Sequence, residues 1–421
     1  MKKLLWAWIA VLLLAVPAWA GFDLEVVDTG DTGVMTETAL DPDGRPAICY
    51  YDQSLGALKV AEWRPADWEI TVVDQSGDMG QYCSIYVDSG GDPHIAYQDN
   101  VEWDLRYAYR DGGVWDTATL EAYGPIGLGI SMMPDANGLP RISYLDNGGE
   151  DLVYMWFTVS DYDYSYVDTD RKVGGHATSL AVLSSSLSYI AYFDDGPGDL
   201  RLAKGHGDNW QTYLVDAGEA EEEVGLDLAL AADVEGVLHL AYYDSTNGRL
   251  KYATGDENDM AIEVVDASGW CGYPLDLTLD IAGRPHVCYY DDGGKMLRYA
   301  YRAGNDWHRF QIDSGDQVGL DCSLVVDDDG VVTIAYRDGA AGTLKVARGD
   351  SSGMPEFGDD DDDDTADDDT GGDDDSADDD NDDSADDDND DSGDDDDSSP
   401  PGFSGGSDDN EDPADSGSCG C

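Results

Sequence analysis

The chain has 421 residues, 22 of them basic and 92 acidic, for a formal net charge of −70. A surface of that sign repels phosphate, which excludes nucleic acid as a partner and disfavours anionic membrane surfaces. Cations, neutral glycans and basic proteins are the partners it leaves open.

Residues 1–20 read as a secretion signal. Lys2 and Lys3 precede an apolar core from Leu4 to Val16, and Ala18-Trp19-Ala20 forms the cleavage site. The core is too short for a membrane anchor, and no Cys follows the cleavage site, which argues against a lipoprotein. The expectation is an exported bacterial protein, extracellular or at the cell surface, with no transmembrane segment in the mature chain. Phe22 to Asp28 then reads as a single β-strand that no repeat precedes.

From there a unit recurs seven times, starting at Asp41, Asp88, Asp135, Leu183, Asp233, Asp280 and Asp327, in steps of 47, 47, 48, 50, 47 and 47 residues. Four positions hold one residue type in all seven copies. They are the Gly eight before the start (Gly33 to Gly319), the Tyr nine after it (Tyr50 to Tyr336), the Asp two further on (Asp52 to Asp338), and a Leu after a short loop (Leu58 to Leu344). Each unit reads as four strands. In the second, strand A covers Cys83 to Val87, a Gly-bearing turn follows, strand B carries Ile95, Tyr97 and Asp99 on one face, and strand C runs from Leu105 to Tyr109. Strand D starts near a Trp such as Trp68, Trp115, Trp210 or Trp307. No helical period stands out.

Seven four-stranded units at this spacing predict an all-β, seven-bladed β-propeller over residues 21–357. The last unit lacks its strand D, so Phe22–Asp28 is expected to complete blade seven and close the ring. The recurrent Asp is expected to cap the turn between strands B and C. The recurrent Tyr is expected to pack between blades with its hydroxyl satisfied. Cys49 and Cys83 occupy strand B of one blade and strand A of the next, and Cys288 and Cys322 repeat this arrangement with the same separation of 34. Two inter-blade disulfides, Cys49–Cys83 and Cys288–Cys322, are expected, with Cys271 left over in a loop.

Function is sought where the repeat is broken. The D–A connections, which share one face with the B–C loops, carry Tyr123; Arg171, Lys172 and His176; Glu219, Glu221, Glu222 and Glu223; and Trp270, Cys271 and Tyr273. Aromatic platforms, one basic pair and a carboxylate cluster on one rim suit a glycan or protein ligand. Asp227 and Asp321 start strand A near the channel and are the candidates for a cation; Ca²⁺ is the only cofactor considered. His94, His239 and His286 share one strand B position and read as structural.

From about residue 358 the composition changes to Asp runs broken by Ser, Thr, Ala, Asn and Gly, with 31 acidic and no basic residues. Residues 358–421 read as a disordered acidic spacer. With that tail and the two leader lysines set aside, residues 21–357 keep about −41. An Asp-rich spacer ending Cys419-Gly420-Cys421 resembles the C-terminal surface-sorting regions of secreted bacterial proteins, without their apolar helix and arginine cluster.

The repeat also resembles sialidase-like (BNR-like) and other sugar-active propellers in architecture. That resemblance would imply an arginine cluster for a substrate carboxylate, a Tyr nucleophile with a Glu partner, and a Ser-x-Asp-x-Gly-x-Thr-Trp box. The arginines here sit mostly in recurring strand C positions (Arg106, Arg201, Arg298) and the box is absent, so no catalytic residue carries over. The reading is a monomeric, secreted or surface-displayed propeller that recognises a glycan or protein without catalysis. The alternatives are a carbohydrate-active hydrolase or lyase using rim carboxylates, and a Ca²⁺-dependent surface or matrix protein.

Overall fold

The computed structural model describes residues 21–350 except 66, 123 and 219–222, with residue 176 described by its backbone alone. The proposed signal and tail lie outside the described residues. Among the described residues, twenty-eight strands and no helix make seven antiparallel four-stranded sheets. In blade one, strands A to D are Val34–Leu40, Pro46–Asp52, Ala57–Arg64 and Asp67–Asp74, paired in that order. Blade seven takes Val318–Val326, Val332–Asp338 and Thr343–Gly349 as A to C, and its D strand is Phe22–Thr29. Phe22 stands opposite Gly349 and Thr29 opposite Thr343, so the N-terminal strand closes the ring as expected. No described helix is long and apolar enough to cross a membrane.

The repeated residues hold neighbouring blades together. Seven apolar clusters each join two consecutive blades, and blade seven to blade one. The recurrent Gly has positive φ in all seven copies. In six of them a Cβ would approach the recurrent Leu of the preceding blade, at 2.7 Å from Leu58 Cα for Gly80. Glycine is therefore required twice over, by its dihedral and by the close approach.

The recurrent Tyr donates its hydroxyl to a carboxylate on the preceding blade's D strand. Tyr50 reaches Asp28 at 2.7 Å, Tyr97 Asp74 at 2.7 Å, Tyr192 Asp168 at 2.7 Å, Tyr242 Asp216 at 2.6 Å, Tyr289 Asp266 at 2.7 Å and Tyr336 Asp313 at 2.6 Å. Tyr144 does the same to Glu121. The basic strand C position sits beside most of these pairs: Lys59 lies 2.9 Å from Asp28, Arg298 2.7 Å from Asp266, and Lys345 meets Asp313. The recurrent Asp caps the B–C turn, as where Asp52 accepts the Leu55 N–H at 3.0 Å and Asp291 the Gly294 N–H at 2.9 Å.

Three expectations change. Strand A is longer than its apolar core implied, running from Met79 to Val87 in blade two. Cys271 is not in a loop: it begins strand A of blade six (Cys271–Leu279) and is fully buried. Cys49–Cys83 is closed, with its Cα atoms 6.3 Å apart, whereas Cys288 and Cys322 are buried free thiols. Each pair shares an apolar cluster, so burial does not separate them; what differs is the seating of the second sulfur, 3.9 Å from the Pro274 carbonyl for Cys322 against 3.4 Å from the Met35 carbonyl for Cys83. The Cys49–Cys83 bond accords with an oxidising compartment.

Candidate functional site at the channel mouth

The seven A strands line the central channel, and each carries a register shift near its beginning, for example between Val34 and Glu37 or between Leu320 and Ser323. The residue six before each repeat start lies within this bulge. Four of these, Met35, Tyr82, Gly129 and Asp321, take left-handed backbone, with φ of 52°, 50°, 55° and 50°. Glycine adopts that conformation freely; Met, Tyr and Asp do so at a cost of about 1–2 kcal/mol each. Bulges re-aim side chains, and here the position faces a cavity of about 370 Å³ lined by Met35, Tyr82, Asp227, Tyr273, Asp321 and Thr178 among others.

Asp227 accepts the Leu228 N–H at 3.1 Å and, across the blade boundary, the Leu275 N–H at 2.9 Å. Burial nonetheless pushes its carboxyl up to about 7, with Asp276 and Asp321 adding repulsion. Burial likewise raises Asp321 to about 6, against the pull of Arg337. Tyr273, which lines the same cavity as Asp227, Asp321 and Tyr82, is pushed up to about 12 by burial and then by those three groups. Its ring lies 6.0 Å from Tyr243 and is 43 % exposed.

Deeper in the channel a belt of polar side chains ties blade to blade. At the position four before the repeat start, Ser84, Ser131 and Ser179 accept N–H bonds from Met132, Leu180 and Leu230 of the next blade, at 2.9, 3.1 and 2.9 Å. Asp276 accepts the Leu324 N–H at 2.9 Å, and Ser323 the Thr38 N–H at 3.0 Å. Blade five has Ala229 there, so the Leu277 N–H has no neighbouring oxygen and turns to Asp276 of its own blade at 2.7 Å. Burial raises Asp276 to about 6, and raises Glu37 well above the carboxylate range with Asp276 as its second cause.

Of the expected rim residues, Tyr273, Asp227 and Asp321 converge on the cavity. Arg171, Lys172, Glu223 and Trp270 do not line it. Arg171 pairs with Asp168 at 3.1 Å and Asp194 at 3.3 Å, taking the role that strand C cations play elsewhere. Lys172 bridges Asp195 at 2.5 Å and Glu150 at 3.4 Å. Glu223 holds the next loop through its carbonyl, which accepts the Ser245 N–H at 3.0 Å. Trp270 is 61 % exposed. Tyr123, Glu219, Glu221 and Glu222 lie outside the described residues, as does the side chain of His176. His94, His239 and His286 direct Nδ1 to Tyr107, Tyr252 and Tyr299 and are held below their ordinary pKa by burial, in keeping with a structural role. Among the described residues no group of three or more His, Cys, Asp or Glu is arranged to hold a metal ion.

Tyr82, Met35 and Thr178 were missed. The signal for Met35 and Tyr82 is the repeat itself: the column six before the start reads Met, Tyr, Gly, Ala, Asp, Pro, Asp, a different residue in almost every blade, and Thr178 follows it in blade four.

No protein-family model matches the chain, and no curated protein matches it. Solved structures match its fold. The Kuenenia stuttgartiensis hydrazine synthase is 10 % identical with a TM-score of 0.52, covering 76 % of this chain and 96 % of that one. An ulvan lyase of a polysaccharide lyase family is 12 % identical with a TM-score of 0.51, covering 82 % and 97 %. Hadza microbial sialidase Hz136 is 15 % identical with a TM-score of 0.44, covering 76 % and 66 %. At these identities the likeness is one of fold, a seven-bladed propeller with sialidase propellers among its neighbours.

Proposed function

We propose that this chain is a secreted or surface-displayed recognition propeller that binds a glycan at the channel mouth without altering it. The observation that carries the reading is the cavity itself. Two carboxyls, two tyrosines and a methionine converge there from five different blades, four of them at one column that the repeat leaves free and Tyr273 from the position just before it. Carboxylates accept sugar hydroxyls and Tyr273 offers a ring face, the combination of apolar wall and few placed polar groups that ligand sites use. The acidic lining selects against uronates and sialic acids and favours neutral or amino sugars. The leader-like sequence of residues 1–20 and the Asp-rich composition of residues 358–421 fit display away from the cell body.

The test is a glycan array with the full mature chain, followed by titration calorimetry on the hits. Asp227→Asn and Tyr273→Ala are expected to weaken binding about tenfold or more, while Trp270→Ala leaves it within about twofold. Retained binding in the first two with loss in Trp270→Ala moves the site to the outer rim. Silence on the array with capture of a protein ligand transfers the same cavity to a peptide.

One observation favours a catalytic reading. A carboxyl near 7 beside one near 6, in a cavity with a tyrosine, is the kind of pair that supplies a general acid and base. Turnover of a glycan hit that Asp227→Asn abolishes while binding survives would establish a hydrolase or lyase.

A further inference from the structure

We infer that Cys288 and Cys322 form an oxidative modification site, which closes as a second inter-blade disulfide between blades six and seven. The closed pair supplies the template. Cys49 stands opposite Glu37 in its A–B ladder, and Cys288 opposite Asp276, carboxylates at the same repeat position. The Cys83 sulfur lies 3.4 Å from the Met35 carbonyl, and the Cys322 sulfur 3.9 Å from the Pro274 carbonyl, again one repeat position. Cys288 and Cys322 share one apolar cluster and their thiols are within hydrogen-bonding reach of each other. The backbone that closes the first bond is therefore already present around the second pair.

The surroundings set the order of events. Cys288 is fully buried, whereas Cys322 lines the channel-mouth cavity and is the sulfur a reagent meets first. The oxidant is a low-molecular-weight disulfide. The Cys322 thiolate attacks one of its sulfurs, forming a mixed disulfide and releasing one small thiolate. The Cys288 thiolate then attacks the Cys322 sulfur and expels the second. The two cysteine protons end on the two released thiolates, so each protein disulfide formed yields two small thiols. Burial raises both thiol pKa values, and Asp276 adds to it, so the thiolate is scarce near neutrality and closure speeds up with pH. The bond would tether blade seven, the one sheet whose D strand comes from the far end of the chain, Phe22–Thr29. None of this depends on the ligand.

The experiment incubates the full chain with oxidised glutathione at two alkaline pH values, alkylates in denaturant and digests without reduction. A peptide pair joined through Cys288 and Cys322 is expected to accumulate, faster at the higher pH. The oxidised protein is expected to melt a few degrees above the untreated one. Cys288→Ala should lose both the joined peptide and the added stability while keeping Cys49–Cys83. That variant should fold, because Ala96, Ala191, Ala241 and Ala335 fill the same position. Finding the pair already joined in the secreted protein also supports the inference. Recovery of both cysteines alkylated after exhaustive oxidation of folded protein overturns it, as does a bond from Cys322 to Cys271, Cys419 or Cys421.

Discussion

Tyr144 donates its hydroxyl to Glu121 at the one inter-blade latch with no lysine or arginine in the strand C position, which Val153 occupies. Burial raises the Glu121 carboxyl there, with no cation to counter it. At Tyr289 the same latch is ionic: Asp266 accepts from Tyr289 and lies 2.7 Å from Arg298, and its carboxyl is held below the usual range despite burial. Asp266→Asn is expected to destabilise by about 2–4 kcal/mol, since it removes one of the carboxylates that pair with the buried Arg298. Glu121→Gln should stay within about 1 kcal/mol, because the amide oxygen still accepts from Tyr144 and no buried cation loses its partner. Equilibrium denaturation of both variants checks the ranking; equal losses would mean that the cation adds nothing to the latch.

The recurrent glycines are not equally demanding. A Cβ on Gly80 would stand 2.7 Å from Leu58 Cα at φ +108°, but one on Gly127 would stand 3.5 Å from Leu105 Cα at φ +79°. Gly80→Ala is expected to cost about 3–5 kcal/mol and Gly127→Ala about 1–2 kcal/mol, the latter from its dihedral alone. Urea melts of the two proteins decide it.

Closure of the ring rests on Phe22, which is 4 % exposed and meets Tyr299 edge-on with ring centroids 5.7 Å apart. Phe22→Ala should destabilise by about 3–4 kcal/mol. Its amide exchange should rise first in Val318–Val326 and Thr343–Gly349, the strands of the blade it completes. Uniform exchange across all blades would mean that blade seven is no weaker than the rest.

The channel carboxyls predict a pH dependence with a definite sign. Asp227 at about 7, and Asp276 and Asp321 at about 6, lie above their unfolded values near 4. Their stabilising contribution is complete below about pH 4 and disappears as the pH rises to about 7. His94, His239 and His286, held below their ordinary pKa, act oppositely and remove stability as the pH falls below about 6.5. Asp227→Asn is therefore expected to gain roughly 1–3 kcal/mol relative to wild type between pH 5 and pH 8, after allowance for water in the channel. Thermal melts at the two pH values test it, and a constant difference would place the Asp227 pKa near its ordinary value.

Architecture was legible because it is local and repeated. A Gly that must clear Leu58, a Tyr that must reach Asp74 and an Asp that must cap its turn recur at fixed spacing, since each blade solves the same packing problem. Even the ring closure by Phe22–Thr29 could be read, because a missing strand at one end matched a spare one at the other. What only the tertiary structure decided was where unlike residues meet. Met35, Tyr82, Asp227, Tyr273 and Asp321 are spread over nearly 300 positions of chain, and the bulge at the head of each A strand turns them toward one cavity. The same holds for Arg171 and Lys172, which composition marks as a basic pair for a ligand and which packing gives to Asp168, Asp194 and Asp195. Period records what every blade shares, whereas a site on the axis depends on how the blades differ and on which side chains the ring brings face to face.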